Sequence, residues 1–273
     1  MTVDRSIPYA WSGPPGREQE PLTVPYLMQA GNMDAPVAAI LWALMHRRPS
    51  IIVAAMPQRA GKTATLTALL DFLPPTVQRI YLRGGAERFE FVGSAAPTSS
   101  LMLANELSDH LPYYLWGRQA NQAFRLLNTG YALAATMHAD SPEEVVGEVM
   151  GGLGLDPATV GNLTAVVNLA VFRNPLSPSG EPTRRVRVVS LISHTGASIH
   201  CADICNWDPK TDTFAISPKA ADAIANRLAL DVQRVNDELS GRAAYLEKLR
   251  GLANANRPEA FQQAVRDYSG PVA

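Results

Sequence analysis

One segment constrains the fold of this chain more than any other: the apolar run SIIVAAM at 50–56, followed by PQRAGKT at 57–63. The β-branched density of the run predicts a buried strand. The apolar spacing from Lys62 to Phe72 predicts a helix. A buried strand that passes through a glycine-containing turn into a helix is typical of an α/β fold.

The alternation of strand and helix continues to about Gly154. Further strands are predicted near Arg79, Leu101 and Tyr131, and Ser141 opens a helix with a capping signal. Short connections between them indicate a largely parallel sheet. Beyond Gly154 the pattern predicts strands at 165–172, 185–193, 199–205 and 213–216, then helices at 218–230, 231–252 and 258–268.

These patterns divide the chain into three predicted parts. Residues 1–21, rich in proline, glycine and charge, are expected to form a flexible arm, which we interpret as a tail rather than a partner contact. Residues 22–216 are expected to form the core with its β extension, and residues 217–270 a helical subdomain.

Composition excludes several classes of function. There are 24 Lys+Arg and 25 Asp+Glu, so the net charge of −1 disfavours a protein that coats nucleic acid. Two cysteines cannot form a disulfide framework, which favours the cytoplasm. The longest apolar stretches fall short of the ~20 residues that a membrane-spanning helix requires.

The turn after the first core strand has the residues that a phosphate-binding loop needs. Gly61 allows backbone N–H groups to approach phosphate oxygens, Lys62 would neutralise the β- and γ-phosphates, and the Thr63 hydroxyl would bind Mg²⁺. The full motif has a glycine at the position of Met56, so we expect a different path at the loop's entry. The predicted loop that binds ATP consists of Gln58, Arg59, Ala60, Gly61, Lys62, Thr63 and Ala64.

Two further segments are expected at the same edge of the sheet. The strand at 101–104 leads into Asn105 and Glu106, which we interpret as a support for the metal and a general base. The alternative is that Glu106 is merely the first acid of the next segment. His138 follows another core strand and precedes a capped helix, which places it where ligands bind in open α/β folds.

Together, the Gly-Lys-Thr unit, the strand ending in Glu106, Asn-Thr-Gly at 128–130 and Thr-Met-His-Ala-Asp-Ser at 136–141 resemble the secretion ATPase superfamily. That superfamily drives type II and type IV secretion, type IV pili and archaeal flagella. The resemblance covers about residues 22–268 and is closest to the archaeal-type branch. Its most specific part is the histidine box at 136–141.

The resemblance implies a RecA-like P-loop core that hydrolyses ATP with Mg²⁺. Glu106 would position the attacking water, while Glu87, in a segment similar to the family's aspartate box, and His138 would sense the γ-phosphate. It also implies a hexameric ring with nucleotide between subunits, and an inner-membrane platform protein that holds a cytoplasmic motor at the membrane.

The chain departs from the family in four places. It carries Met56 in the phosphate loop, Arg83-Gly84 where the aspartate box has acids, a shortened segment between Glu87 and Glu106, and extra residues at 110–118. The length also leaves no room for the family's extra N-terminal domain. The alternative function is therefore a degenerate nucleotide-binding scaffold with little turnover. A third class, a nucleic-acid-dependent ATPase, has no support from charge.

Several other side chains have two interpretations. Three arginines are candidates for neutralising phosphate across a subunit interface, although surface exposure is favoured for each: Arg118, Arg125 and Arg173. Three basic residues could touch phosphate or lipid, but the outward charges of a strand edge are favoured: Arg184, Arg185 and Arg187. Three aromatic side chains could form a contact patch, although core packing is favoured: Tyr113, Tyr114 and Trp116. We interpret Cys201 and Cys205 as strand residues rather than metal ligands.

Overall fold

A single mixed sheet organises the molecule. The computed structural model describes Ser6, Pro8, Trp11 and residues 21–172, 182–252 and 256–272. Across these residues, eight strands lie in the order β2-β3-β4-β1-β5-β6-β7-β8. The strands are β1 Ile51–Ala54, β2 Gln78–Tyr81, β3 Ser100–Leu107, β4 Ala132–Met137, β5 Ala165–Phe172, β6 Thr183–Thr195, β7 Ser198–Asp208 and β8 Thr213–Ile216.

The two halves of the sheet differ in direction. Strands β2, β3, β4, β1 and β5 are parallel to one another, and β5 to β8 pair antiparallel. The predicted fold class is confirmed: an α/β molecule with a RecA-like parallel core and a β-rich extension, followed by helices. β1 is flanked by β4 and β5, so it is a central strand of the sheet rather than an edge strand.

Helices cover both faces. They are α1 Val24–Gln29, α2 Ala35–Met45, α3 Lys62–Leu69, α4 Gly117–Leu127, α5 Pro142–Leu153, α6 Pro157–Val160, α7 Ala220–Leu228, α8 Val232–Arg250 and α9 Pro258–Arg266. One apolar cluster joins α1, α2, α3, α7, α8 and α9 to one face, and a second joins α4, α5 and α6 to the other. None of the helices in the described ranges combines the length and apolar character that a membrane crossing requires.

Helix starts follow their sequence signals. The Asp34 side chain accepts a hydrogen bond from the backbone N–H of Val37, and the Ser141 side chain accepts one from that of Glu144. Both helices also carry proline in the first turn, where a missing N–H costs nothing. The predicted helix from Lys62 to Phe72 is α-helical to Leu69 and then tightens into a 3₁₀ turn.

The ends of the chain also contact the core. Most of the predicted arm, residues 1–21, lies outside the described residues. Trp11, however, is buried: its indole N–H donates to Thr67 Oγ1 at 2.8 Å, and its ring meets that of Tyr81 edge-on. α8 packs on α2, where Glu238 forms ion pairs with Arg47 at 2.7 Å and with Arg242 at 2.8 Å. The boundaries at 21 and 216 remain predictions.

Candidate phosphate-binding site

The loop from β1 to α3 lies at the carboxyl edge of the parallel strands. Gly61 immediately precedes α3 with φ of +89°, a left-handed conformation that glycine adopts without steric cost. Among the described residues, no side chain caps this end of the helix. The N–H groups of the first helical turn therefore point toward a space that suits an anion.

The predicted loop residues occupy different depths. Gln58 and Arg59 are exposed at the tip, and Ala60 is buried beneath them. Arg59 is left-handed, with φ of +59°, which is an uncommon conformation for a residue with a side chain. Thr63 and Ala64 are half-buried in the first turn of α3. Met56, which replaces the motif's first glycine, is 46% exposed at the loop's entry.

Lys62 is a buried cation with three close neighbours. The side chain is only 7% exposed. Its Nζ lies 3.0 Å from His138 Nε2, 3.4 Å from the Ala55 carbonyl oxygen and 3.8 Å from Glu106 Oε2. Burial lowers the pKa of Lys62, and the negative charge of Glu106 opposes that change. The predicted phosphate-binding lysine and the predicted general base thus form one buried ion pair.

His138 connects this pair to the entry of the loop. Its Nδ1 lies 2.9 Å from the carbonyl oxygen of Met56. A carbonyl only accepts hydrogen bonds, so Nδ1 is the donor, and the neutral ring then offers Nε2 as an acceptor to Lys62. The same Nε2 lies 3.4 Å from Glu106 Oε2. Three predicted site residues, Lys62, Glu106 and His138, therefore meet at one place.

Glu106 lies near the carboxyl end of a strand. β3 runs to Leu107 and includes both Asn105 and Glu106, so the strand extends beyond the apolar run at 101–104 and ends one residue after the polar pair. The Glu106 backbone carbonyl accepts from the Leu115 N–H at 2.9 Å, and its carboxylate accepts from Ser108 Oγ at 3.2 Å. Strand geometry and these two hydrogen bonds fix the carboxylate toward Lys62.

The predicted metal-binding residues lie near the same edge. The Asn105 carbonyl accepts a hydrogen bond from Thr136 Oγ1 at 2.5 Å, which ties β3 to β4. Within the described ranges, no three His, Cys, Asp or Glu side chains are grouped so as to hold a metal ion. Magnesium in nucleotide sites takes few protein ligands and relies on phosphate oxygens, so a hydroxyl such as that of Thr63 fits such an ion. The roles of Thr63 and Asn105 remain predictions.

Glu87 has a different environment from the other predicted acid. Its carboxylate accepts backbone hydrogen bonds from Arg83 at 2.8 Å, Arg88 at 3.0 Å and Phe89 at 2.6 Å. It therefore shapes the loop that follows β2. Sensing of the γ-phosphate by this residue remains a prediction.

The loop after β2 packs against the segment that precedes α4. A Cβ on Gly84, whose φ is +57°, would lie 2.4 Å from the carbonyl carbon of Tyr113. Gly85 donates its N–H to the Pro112 carbonyl at 2.9 Å. Backbone contacts thus hold the segment at 112–113 against the loop that follows β2.

Sequence reasoning did not single out Asn168. Asn168 is fully buried on β5, beside Ala54 of β1, and donates from Nδ2 to the Ala139 carbonyl at 3.0 Å. It thereby ties β5 to the segment after His138. The signal was available, since Asn168 is the one strongly polar residue in an otherwise apolar strand.

The remaining candidates are arginine, aromatic and cysteine side chains. Arg118 and Arg125 are exposed on α4, and Arg173 lies outside the described residues. Trp116 packs on the core, and the rings of Tyr113 and Tyr114 contact each other at 4.9 Å. Both cysteines are free thiols, and burial is the largest cause that raises their pKa values, to about 11 for Cys201 and about 12 for Cys205.

Similarities to known proteins are found among solved structures and in an archaeal sequence. No family model matches the sequence. The structure is similar to X-ray structures of the ATPase DotB from Legionella pneumophila (11% identity, TM-score 0.39) and from Yersinia pseudotuberculosis (10%, 0.38). It is also similar to the VirB11 ATPase of the Brucella suis type IV secretion system, solved with sulphate (18%, 0.35).

The extent of these matches is limited. They cover 93%, 77% and 71% of this chain but only 64%, 53% and 56% of the respective structures. A protein of Methanocaldococcus jannaschii described as uncharacterized is 26% identical over 247 residues, which is 82% of this chain and 90% of that protein. Every TM-score is below 0.5, so these structures assign no residue role to this chain.

Proposed function

We propose that this chain binds ATP with Mg²⁺ at the loop from Gln58 to Ala64 and hydrolyses it, as a catalytic core similar to those of secretion ATPases. The observation that carries the proposal is the meeting of Lys62, Glu106 and His138 at the carboxyl edge of the sheet. A lysine is rarely buried without a functional or structural counter-charge. Here the counter-charge is the acid that the sequence assigns to water activation.

In this proposal each side chain acts on a different part of the reaction. The N–H groups of the loop and of the first turn of α3 bind the phosphates, and Lys62 leaves Glu106 to bind the β- and γ-phosphates. Glu106, thus released, accepts a hydrogen bond from the attacking water and orients it in line with the leaving group. Magnesium, when bound, supplies charge neutralisation to the phosphates.

His138 would sense whether the γ-phosphate is present. It contacts Lys62 through Nε2 and the entry of the loop through Nδ1, so a movement of Lys62 changes its hydrogen bonding. This arrangement supports the sensing role that the family resemblance implies. Glu87 would contribute only after its loop rearranges, because three backbone N–H groups now hold its carboxylate.

The test is substitution of the buried lysine. Lys62→Ala should lower ATP affinity by at least about tenfold, since one charge-assisted phosphate contact is lost, and should abolish phosphate release. Lys248→Ala removes an exposed lysine from α8 and is the matched control. Calorimetric titration with ATP·Mg and a phosphate-release assay measure both effects. A Lys62→Ala protein that hydrolyses ATP at the parental rate would exclude the mechanism.

A second candidate is a nucleotide-binding scaffold with little turnover. Two observations favour it: Met56 at the first motif position, and a Glu87 carboxylate held within its own loop. An increase in melting temperature with ATP, without phosphate release at any protein concentration, would decide for it. Phosphate release that is lost in a Glu106→Gln variant would decide against it.

Assembly is also proposed from the resemblance alone. A homo-oligomer, as a hexameric ring with nucleotide between subunits, and an inner-membrane platform protein are the expected partners. Native mass with and without ATP·Mg tests the first, and co-purification with a membrane protein encoded beside this chain tests the second. The near-neutral net charge gives no support for a nucleic acid as a partner.

A further inference from the structure

The first residues of β6, in the antiparallel half of the sheet, lie beside the phosphate loop. β6 runs opposite to β5, and its first residue, Thr183, pairs with Phe172 at the end of β5. The first residues of β6 therefore lie at the edge where the parallel strands end. A side chain here can reach a loop that is more than a hundred positions earlier in the chain.

Arg184, the second residue of β6, makes that contact. Its Nε donates to the carbonyl oxygen of Arg59 at 3.2 Å, and its Nη1 donates to the carbonyl of Pro182 at 3.3 Å. A Cβ placed on Gly61 would lie 3.2 Å from Arg184 Cδ. The Arg184 side chain thus contacts the loop at two residues, Arg59 and Gly61.

The two arginines that follow on β6 have carboxylate partners. Arg185 is ion-paired with Asp212 at 2.8 Å, and Arg187 with Asp140 at 3.6 Å. Arg184 forms no ion pair with any acid in the described part of the chain. Its guanidinium carries an uncompensated charge beside the loop, and such a charge attracts an anion.

The charge of the loop's own lysine is already balanced. Glu106 lies 3.8 Å from Lys62, so the pair presents almost no net charge to an approaching phosphate group. A positive field at the loop must then come from other cations, namely Arg59, which is exposed at the tip, and Arg184. Arg184 also donates to the Arg59 carbonyl, so it contacts the loop directly as well as contributing charge.

We propose that Arg184 is the positioning residue of the phosphate site: it acts within the same subunit, fixes the loop through the Arg59 carbonyl, and raises the affinity for the phosphates of a nucleotide. The inference rests on the proposed binding of ATP. It adds a cation from the β extension to a site otherwise built from the parallel core.

The experiment compares three variants of the full chain by calorimetric titration with ATP·Mg at 0.1 M salt. Arg184→Gln should bind ATP about tenfold more weakly, because a charge-assisted contact is lost. Arg184→Lys keeps the charge and should recover most of the affinity. Arg187→Gln removes a neighbouring, already paired charge and should remain within about twofold of the parent. The melting temperature without nucleotide should be the same for Arg184→Gln and the parent.

Each alternative result has one meaning. A parent chain that does not bind ATP overturns the proposed function and this inference together. A parent that binds ATP, with Arg184→Gln binding equally well, overturns only the inference. Equal losses in Arg184→Gln and Arg187→Gln would show a general charge effect and also overturn it. At 0.5 M salt the difference between Arg184→Gln and the parent should shrink, since salt screens a half-exposed charge.

Discussion

Replacement of Glu106 by Gln removes one negative charge beside Lys62 and keeps the shape of the side chain. The two charged atoms are 3.8 Å apart, with side chains 7% and 10% exposed, so water screens them little. At an effective dielectric constant of about 20, their attraction is about 4 kcal/mol. The amide of Gln retains part of this through a hydrogen bond, so we expect the free energy of unfolding to fall by about 2 kcal/mol.

The same change should have opposite effects on binding and on turnover. Without Glu106, Lys62 presents its full charge to the phosphates, and ATP affinity should rise about tenfold, which corresponds to about 1.4 kcal/mol. Phosphate release should fall at least about a hundredfold, because the group that we propose orients the attacking water has lost its charge. A variant that binds more tightly and reacts more slowly separates the two roles of one contact.

Three measurements test the reasoning. Urea unfolding gives the stability of the nucleotide-free chain, calorimetry gives ATP affinity, and a coupled assay gives phosphate release. Glu259→Gln, which removes an exposed acid from the first turn of α9, is the control and should change none of the three substantially. If Glu106→Gln binds ATP no more tightly than the parent, the Lys62–Glu106 pair does not limit phosphate binding, and the reasoning is refuted.

Two further substitutions test the fold around the site. Burial raises the pKa of Asp71 from 3.8 to about 6, so its stabilising contribution is complete below about pH 4 and is lost as the pH rises through 6. Asp71→Asn, which can still accept from Gln262, should therefore be more stable than the parent at pH 7.5, by about 3 kcal/mol at most, and the difference should vanish by pH 4 in urea titrations; a gain that does not change with pH would contradict this. Gly84→Ala should lower the free energy of unfolding by about 2–4 kcal/mol, because its Cβ meets the Tyr113 backbone in a left-handed turn. Gly93→Ala is equally left-handed but meets nothing within 4 Å, so equal losses in the two variants would exclude the steric explanation.

Local signals predicted much of the parallel core. The strand at 51–54 and the Gly-Lys-Thr turn each depend on neighbouring residues alone, and both are present. The meeting of Lys62, Glu106 and His138 was also predictable, because parallel strands bring their carboxyl ends to one edge. Short-range sequence patterns therefore suffice to predict the structure where strands and helices alternate regularly.

Contacts that depend on strand register were not predictable. The Arg-Arg-Val-Arg pattern at 184–187 indicates outward charges, yet Arg185 is 9% exposed and paired with Asp212, so that interpretation is wrong for Arg185. The register shifts opposite Asn168 and Leu169 of β5, which pair with Val188 and Val186, so that Arg187 of β6 is skipped and the simple alternation of β6 is broken. Which arginine meets the phosphate loop depends on that register, and no single sequence reveals it.

The burial of α2 has a consequence for how the protein folds during its synthesis. Ten of its eleven residues are buried, because the sheet covers one side and α8 covers another. α8 begins at Val232, 187 positions after α2 ends at Met45. During synthesis, an almost entirely apolar helix therefore remains uncovered on that side until α8 has left the ribosome. Folding of α2 should therefore wait for the synthesis of α8, and nascent chains should need protection from aggregation at α2 until then.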